Sequence, residues 1–119
     1  MSKNVLVIGS INVDYVIHTD RLPKLGETLT GSDFAMNFGG KGANQAVALA
    51  KTGSNVKMLG AVGTDLSGEL AINNLKSFGI DTTDVLTVDA PTGAAVITVC
   101  NGDNHILLDI GAIRHSVSE

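Results

Sequence analysis

Gly39-Gly40-Lys41-Gly42-Ala43-Asn44-Gln45-Ala46 is the stretch on which the fold turns. Three glycines punctuate the chain, and Ala43, Ala46, Val47 and Ala50 then recur at helical spacing. Their small size predicts close packing of a helix on a sheet, and Gly53 supplies its C-terminal stop. Working upstream, Val5 to Ile11 is a short, nearly continuous apolar run with β-branched residues and Gly9 inside it. Such a run fits a strand covered on both faces, as in a parallel sheet. Val13 to His18 continues in the same character, Leu22-Pro23-Lys24-Leu25-Gly26 signals a turn, and Thr28 to Phe38 reads as an exposed antiparallel strand or pair. Downstream, Val56 to Val62 reads as a strand, Ser67 to Phe78 as a second helix closed by Gly79, and Val85 to Val88 as a short strand. Gly93 to Cys100 and His105 to Ile110 flank Asn101-Gly102-Asp103-Asn104, a strong hairpin signal. The order predicts an α/β fold with a parallel sheet, plus a small separate β-sheet able to act as a lid.

The chain has 119 residues, enough for one modest domain with its own core. With 44% hydrophobic and 17% charged residues it reads as globular. A net charge of -4 without a Lys or Arg cluster argues against nucleic acid and anionic membranes as partners. No apolar run approaches the ~20 residues of a membrane span. The N-terminal run Val5-Leu6-Val7-Ile8 is too short for a signal-peptide core. A single cysteine, Cys100, makes no internal disulfide, and its apolar alternating setting suits a buried structural thiol better than a nucleophile. These features together predict a cytoplasmic protein.

The common phosphate motifs fail. A P-loop would need glycine where Ala35 stands and Ser or Thr where Gly42 stands. The dinucleotide fingerprint would need glycine at Ile11. His18, His105 and His115 lie far apart, so no zinc spacing exists.

Two clusters remain. Asn12 and Asp14 sit two apart at the expected C-terminal end of the first strand, so period-2 geometry puts both side chains on one face. A carboxylate accepts from two adjacent hydroxyls and an amide both donates and accepts, which suits a polyol. The same pair equally fits a polar strand end that turns the chain. Gly39 to Asn44 offers close backbone approach, first-turn N–H donors, and the side chains of Lys41 and Asn44. It also fits an ordinary glycine-rich turn.

The combination is more specific than either part. Gly-Gly-Lys-Gly-Ala-Asn-Gln-Ala from Gly39, followed by Gly53 and Gly63, resembles the N-terminal signature of the ribokinase family of carbohydrate kinases. Gly9-Ser10-Ile11-Asn12-Val13-Asp14 resembles that family's opening strand, and Pro23-Lys24-Leu25-Gly26-Glu27-Thr28 its turn. Gly63-Thr64-Asp65-Leu66-Ser67-Gly68 resembles its second loop, and Thr92-Gly93-Ala94-Ala95-Val96 its later lid strand. The resemblance covers residues 4 to 112, and the octapeptide is most like that of the ribose kinases within the family.

The resemblance implies the N-terminal part of a Rossmann-like parallel sheet flanked by helices, with a small β-sheet lid. The core would lie at about residues 1–13 and 39–91, and the lid at about 14–38 and 92–111. It implies that Asn12, Asp14, Gly40, Lys41 and Asn44 hold pentose hydroxyls, while Ala95, Ile97 and Leu108 face the sugar from the lid. It implies a homodimer or larger species formed through the lid. Family members use ATP, Mg2+ and often a monovalent cation to phosphorylate a sugar, ribose being the sugar expected here. Such kinases run to roughly 300 residues by resemblance, beyond the usual single-domain size. Their anion hole and catalytic base lie in an Asp-Thr-x-Gly-Ala-Gly-Asp stretch that nothing here matches. Residues 113–119 form an atypical tail, which suggests an altered or truncated C-terminus. The chain alone is therefore expected to bind ATP and Mg2+ poorly and to be catalytically incompetent. The alternatives are a kinase of another sugar or a nucleoside, or a non-catalytic sugar-binding module.

Overall fold

The computed structural model describes residues 3–115. Its elements run β1 (Asn4–Ile8), β2 (Asn12–Thr19), β3 (Ser32–Gly39), α1 (Lys41–Lys51), β4 (Asn55–Leu59), β5 (Ala61–Gly63), α2 (Leu66–Ser77), β6 (Leu86–Val88), β7 (Gly93–Cys100) and β8 (Asp103–Asp109). A short 3-10 helix follows at Gly111–His115. The strands form a parallel pair β1–β4, a parallel pair β5–β6, and a four-stranded sheet in the order β3-β2-β7-β8. The fold is mixed α/β. The four-stranded sheet is antiparallel except where β2 and β7 run parallel, a pairing whose crossover contains both helices.

The helices arise where the sequence placed them. α1 buries Gly42, Ala43 and Ala46, and its small face lets the helix close on β1 and β4. Gly53, at φ +93°, ends it and donates its N–H to the Ala50 carbonyl. α2 starts one residue early because Asp65 caps it, accepting from the Gly68 N–H at 3.0 Å. The hairpin turn at Asn101 and Gly102 has positive φ at both residues, as a two-residue hairpin turn requires. Val7, Ile11, Val13, Met58, Val62 and Leu75 make the centre of the core between helices and sheets.

Three readings are corrected. The apolar run from Val5 to Ile11 is not one strand: pairing stops at Ile8, and Asn12 opens β2 in the four-stranded sheet. Gly9 marks the break, and α1 packs so close there that a Cβ would meet Gly42 Cα at 2.8 Å. Ile11 is buried in the connection, which is why hydropathy did not reveal the interruption. The run is also not covered on both faces, since Leu6 and Ile8 are more than half exposed. Val56 to Val62 splits at Gly60 into two strands that pair with different partners, β4 with β1 and β5 with β6. Of the expected atypical tail, residues 116–119 lie outside the described residues.

Candidate functional site

Asn12 and Asp14 stand at the start of β2 on one face of the four-stranded sheet. The Asn12 amide Nδ2 donates to Asp14 Oδ1 at 2.6 Å, and Asn12 is buried. Burial pushes the Asp14 carboxyl above its ordinary value, and the bond from Asn12 offsets part of that rise. Asn12 thus orients the carboxylate while leaving Oδ2 available to accept.

The glycine stretch lies beside this pair. Gly39 ends β3 directly opposite Asn12. A Cβ on Gly39 would meet Asp14 Oδ2 at 2.6 Å, so glycine leaves room for the carboxylate where it stands. Gly40 has φ +98°, and a Cβ there would meet the Ser10 carbonyl oxygen at 2.5 Å and Asn12 Oδ1 at 3.0 Å. Gly42 presses against Gly9, where a Cβ would lie 2.6 Å from the Gly9 Cα. The Ala43 N–H donates to the Ser10 carbonyl at 3.0 Å, so one of the first-turn donors is used inside the fold. The glycines therefore seat the helix against the Gly9-Ser10 turn and the Asn12–Asp14 pair.

The sheet register brings in the lid residues. Asp14 pairs with Ala95, and Ala95 pairs with Leu108, so the three side chains form a row on one face. Ile97 lies two residues along on that face, between Val16 and Ile106. Ala95 is buried, whereas Leu108 is exposed. Lys41 and Asn44 are exposed on the first turn of α1, and no hydrogen bond joins their side chains to the Asn12–Asp14 pair. The structure thus brings together Asn12, Asp14, Gly40, Ala95 and Leu108, with Ile97 beside them and Lys41 and Asn44 on the adjoining helix.

Sequence reasoning included Gly39 in the glycine stretch but passed over Asn37. Asn37 pairs with Asp14 from β3 and extends the same row. Counting back in steps of two from the glycine stretch was the signal that would have found it.

A second polar cluster joins two of the sequence stretches. The Thr92 hydroxyl donates to Asp65 Oδ1 at 2.6 Å and accepts from the Gly63 N–H at 2.9 Å, while the Thr92 N–H donates to Asp65 Oδ2 at 3.0 Å. Burial alone would raise the Asp65 carboxyl, but these donors and the Gly68 N–H outweigh it and hold the group below its ordinary value. A Cβ on Gly68 would lie 2.8 Å from the Thr92 hydroxyl, so α2 packs closely on the head of β7 here. Cys100 is buried, and its thiol faces the Asp20 carbonyl at 3.4 Å. Among the described residues no helix is long and apolar enough to cross a membrane.

Residues 2–118 match the family described as pfkB family carbohydrate kinase. A ribokinase of Lactococcus lactis is 50% identical over 109 residues, which is 91% of this chain and 36% of that protein. A deoxyribokinase of Salmonella typhimurium is 48% identical over 111 residues, 92% of this chain and 36% of that protein. The solved structure of Arabidopsis thaliana ribokinase complexed with ribose and ATP is similar with a TM-score of 0.88 at 36% identity, covering 94% of this chain and 37% of that one. The chain spans little more than a third of the length of these relatives.

Proposed function

The chain belongs to the pfkB family of carbohydrate kinases, and from that premise we propose that it is the sugar-binding portion of a kinase that phosphorylates D-ribose with ATP. One observation carries the reading: a part-buried carboxylate, oriented by a buried amide and lying over a glycine that makes room for it. Such a carboxylate accepts from two neighbouring hydroxyls of a pentose, which replaces the water it loses on burial. The Gly40 backbone, Lys41 and Asn44 supply donors from the adjoining loop and helix. Ala95, Ile97 and Leu108 offer an apolar wall for the C–H face of the sugar ring. In this reading residues 1–13 and 39–91 form the core and residues 14–38 and 92–111 the lid.

The Cβ directions of Gly39, Gly40 and Gly42 point at Asp14, Ser10 and Gly9, which packs this stretch against the proposed sugar seat. Among the described residues no group of three His, Cys, Asp or Glu side chains is placed to hold a metal ion. ATP, Mg2+ and a monovalent cation would be bound by other parts of an intact kinase. The deoxyribokinase similarity supports a second reading, in which the same site takes 2-deoxyribose. Its pentose carries one hydroxyl fewer, so the choice rests on how many hydroxyls the site reads.

Calorimetric titration of D-ribose tests the proposal. Asp14→Ala should weaken binding by roughly 2–3 kcal/mol, the range for hydrogen bonds to a charged group. Unchanged affinity would remove Asp14 from the site and with it the main support for a sugar seat.

A further inference from the structure

We propose that Asn37 is a further specificity-determining residue of this site, reading a hydroxyl next to those held by Asp14; the inference rests on the sugar-binding reading above. Asn37 stands directly opposite Asp14 in the β2–β3 pairing, on the side away from Ala95. Cross-strand partners share a face, so Asn37, Asp14, Ala95 and Leu108 make one continuous row across the sheet. Asn37 also lines a groove of about 300 Å³ together with Asn44 on α1, with Phe38 and Phe78 as its aromatic walls. Asn37 is thus the register partner of the β2 carboxylate and a neighbour of the α1 amide across a groove that Asp14 itself does not line.

Its local setting does not account for the residue. Asn is disfavoured in strands, and β3 is an edge strand. The Asn37 side chain is exposed, and no hydrogen bond of its amide is found among the described residues. The chemistry complements its neighbour. Asp14 as a carboxylate accepts only, whereas the Asn37 amide donates through Nδ2 and accepts through Oδ1. A hydroxyl adjacent to the pair on Asp14 would find a donor and an acceptor there together. A sugar lacking or inverting that hydroxyl would leave the amide unpaired, which is how a hydrogen-bonding site discriminates.

The test is calorimetric titration of the full chain with D-ribose, 2-deoxy-D-ribose and D-arabinose. Wild type, Asn37→Ala, Asp14→Ala and Ser32→Ala are compared, Ser32 being an exposed residue at the far end of β3. Asn37→Ala should raise the ribose Kd about 3- to 10-fold, the worth of one neutral hydrogen bond. It should also change the order or spacing of the three affinities, with an unchanged melting temperature. Ser32→Ala should behave as wild type. Wild-type affinities in Asn37→Ala, alongside a loss in Asp14→Ala, would overturn the assignment and leave the sugar site standing. Equal weakening toward all three sugars would mark a structural role and overturn it too. No ribose binding by the wild-type chain would instead bring down the sugar-binding reading, and this inference with it.

Discussion

Asp14 carries two opposing demands. Its position requires a carboxylate part-buried beside Asn12 and Gly39, and burial disfavours the charged form. The folded-state pKa is raised above the ordinary 3.8, so the stability this group contributes is present below its unfolded value. That contribution is lost as pH rises through the folded value, and at neutral pH the ionised group weighs against the fold. Asn keeps an acceptor for the Asn12 amide without the charge. Asp14→Asn should therefore raise the melting temperature at pH 7 and leave it nearly unchanged at pH 3. A variant that melts lower than wild type at pH 7 would contradict this account. The Asn12 and Asp14 pairing was legible, because period 2 alone places them together. The packing role of the glycines was not. Gly39, Gly40 and Gly42 read as room for a ligand; the tertiary structure adds that their Cβ directions face Asp14, Ser10 and Gly9, so they also seat α1 against the Asn12–Asp14 pair.

Among the elements, the joint between α2 and β7 has the clearest energetic signature. Asp65 caps α2 and grips Thr92 at the head of β7, and Thr92 in turn satisfies the Gly63 N–H at the end of β5. Thr92→Val keeps the shape but leaves the Gly63 N–H without its acceptor and Asp65 without its shortest bond. It should cost about 2–3 kcal/mol in denaturant unfolding. A loss below about 0.5 kcal/mol, the level of an ordinary surface change, would show that the joint contributes little. The Asp65 carboxyl is held below its ordinary value, so its contribution is present above the unfolded pKa and lost as pH falls through the folded one. Thr92→Val should shrink that loss of stability on the acid side. Sequence spacing singled out Gly63 to Gly68 and Thr92 separately, but a separation of 27 residues between Asp65 and Thr92 carries no periodic signal.

At the scale of the whole molecule, two apolar surfaces stand out. Phe34, Met36, Val96 and Leu107 are exposed on the face of the four-stranded sheet away from Asp14, and Leu6 and Ile8 are exposed on β1. A sheet of this size is marginal unless its apolar face is covered. Self-association through the lid should therefore make the chain a dimer or larger, and sedimentation giving a stable monomer at micromolar concentration would count against it. The second expectation concerns turnover. Phosphoryl transfer depends on positioning and electrostatic stabilisation of the nucleotide, and one lost donor of an anion hole typically costs ~100- to 1000-fold. Incubated with ribose, ATP and Mg2+, the purified chain should form no sugar phosphate detectable by mass spectrometry. Steady turnover, in a preparation free of host kinase, would reveal a nucleotide site among these residues.

What the sequence determined by itself was local or periodic. The helices follow from the spacing of small apolar residues, the hairpin from Asn101-Gly102, and the shared face of Asn12 and Asp14 from the alternation of a strand. The motif order around Gly39 was enough to indicate the family. Only the tertiary structure decided where the apolar run after Val5 breaks, because close approach of α1 to Gly9 is a contact between distant segments. The same holds for the row from Asn37 through Asp14 and Ala95 to Leu108. Each strand specifies its own two faces, but register between strands is set by packing and turns, and it is register that brought these four residues into line.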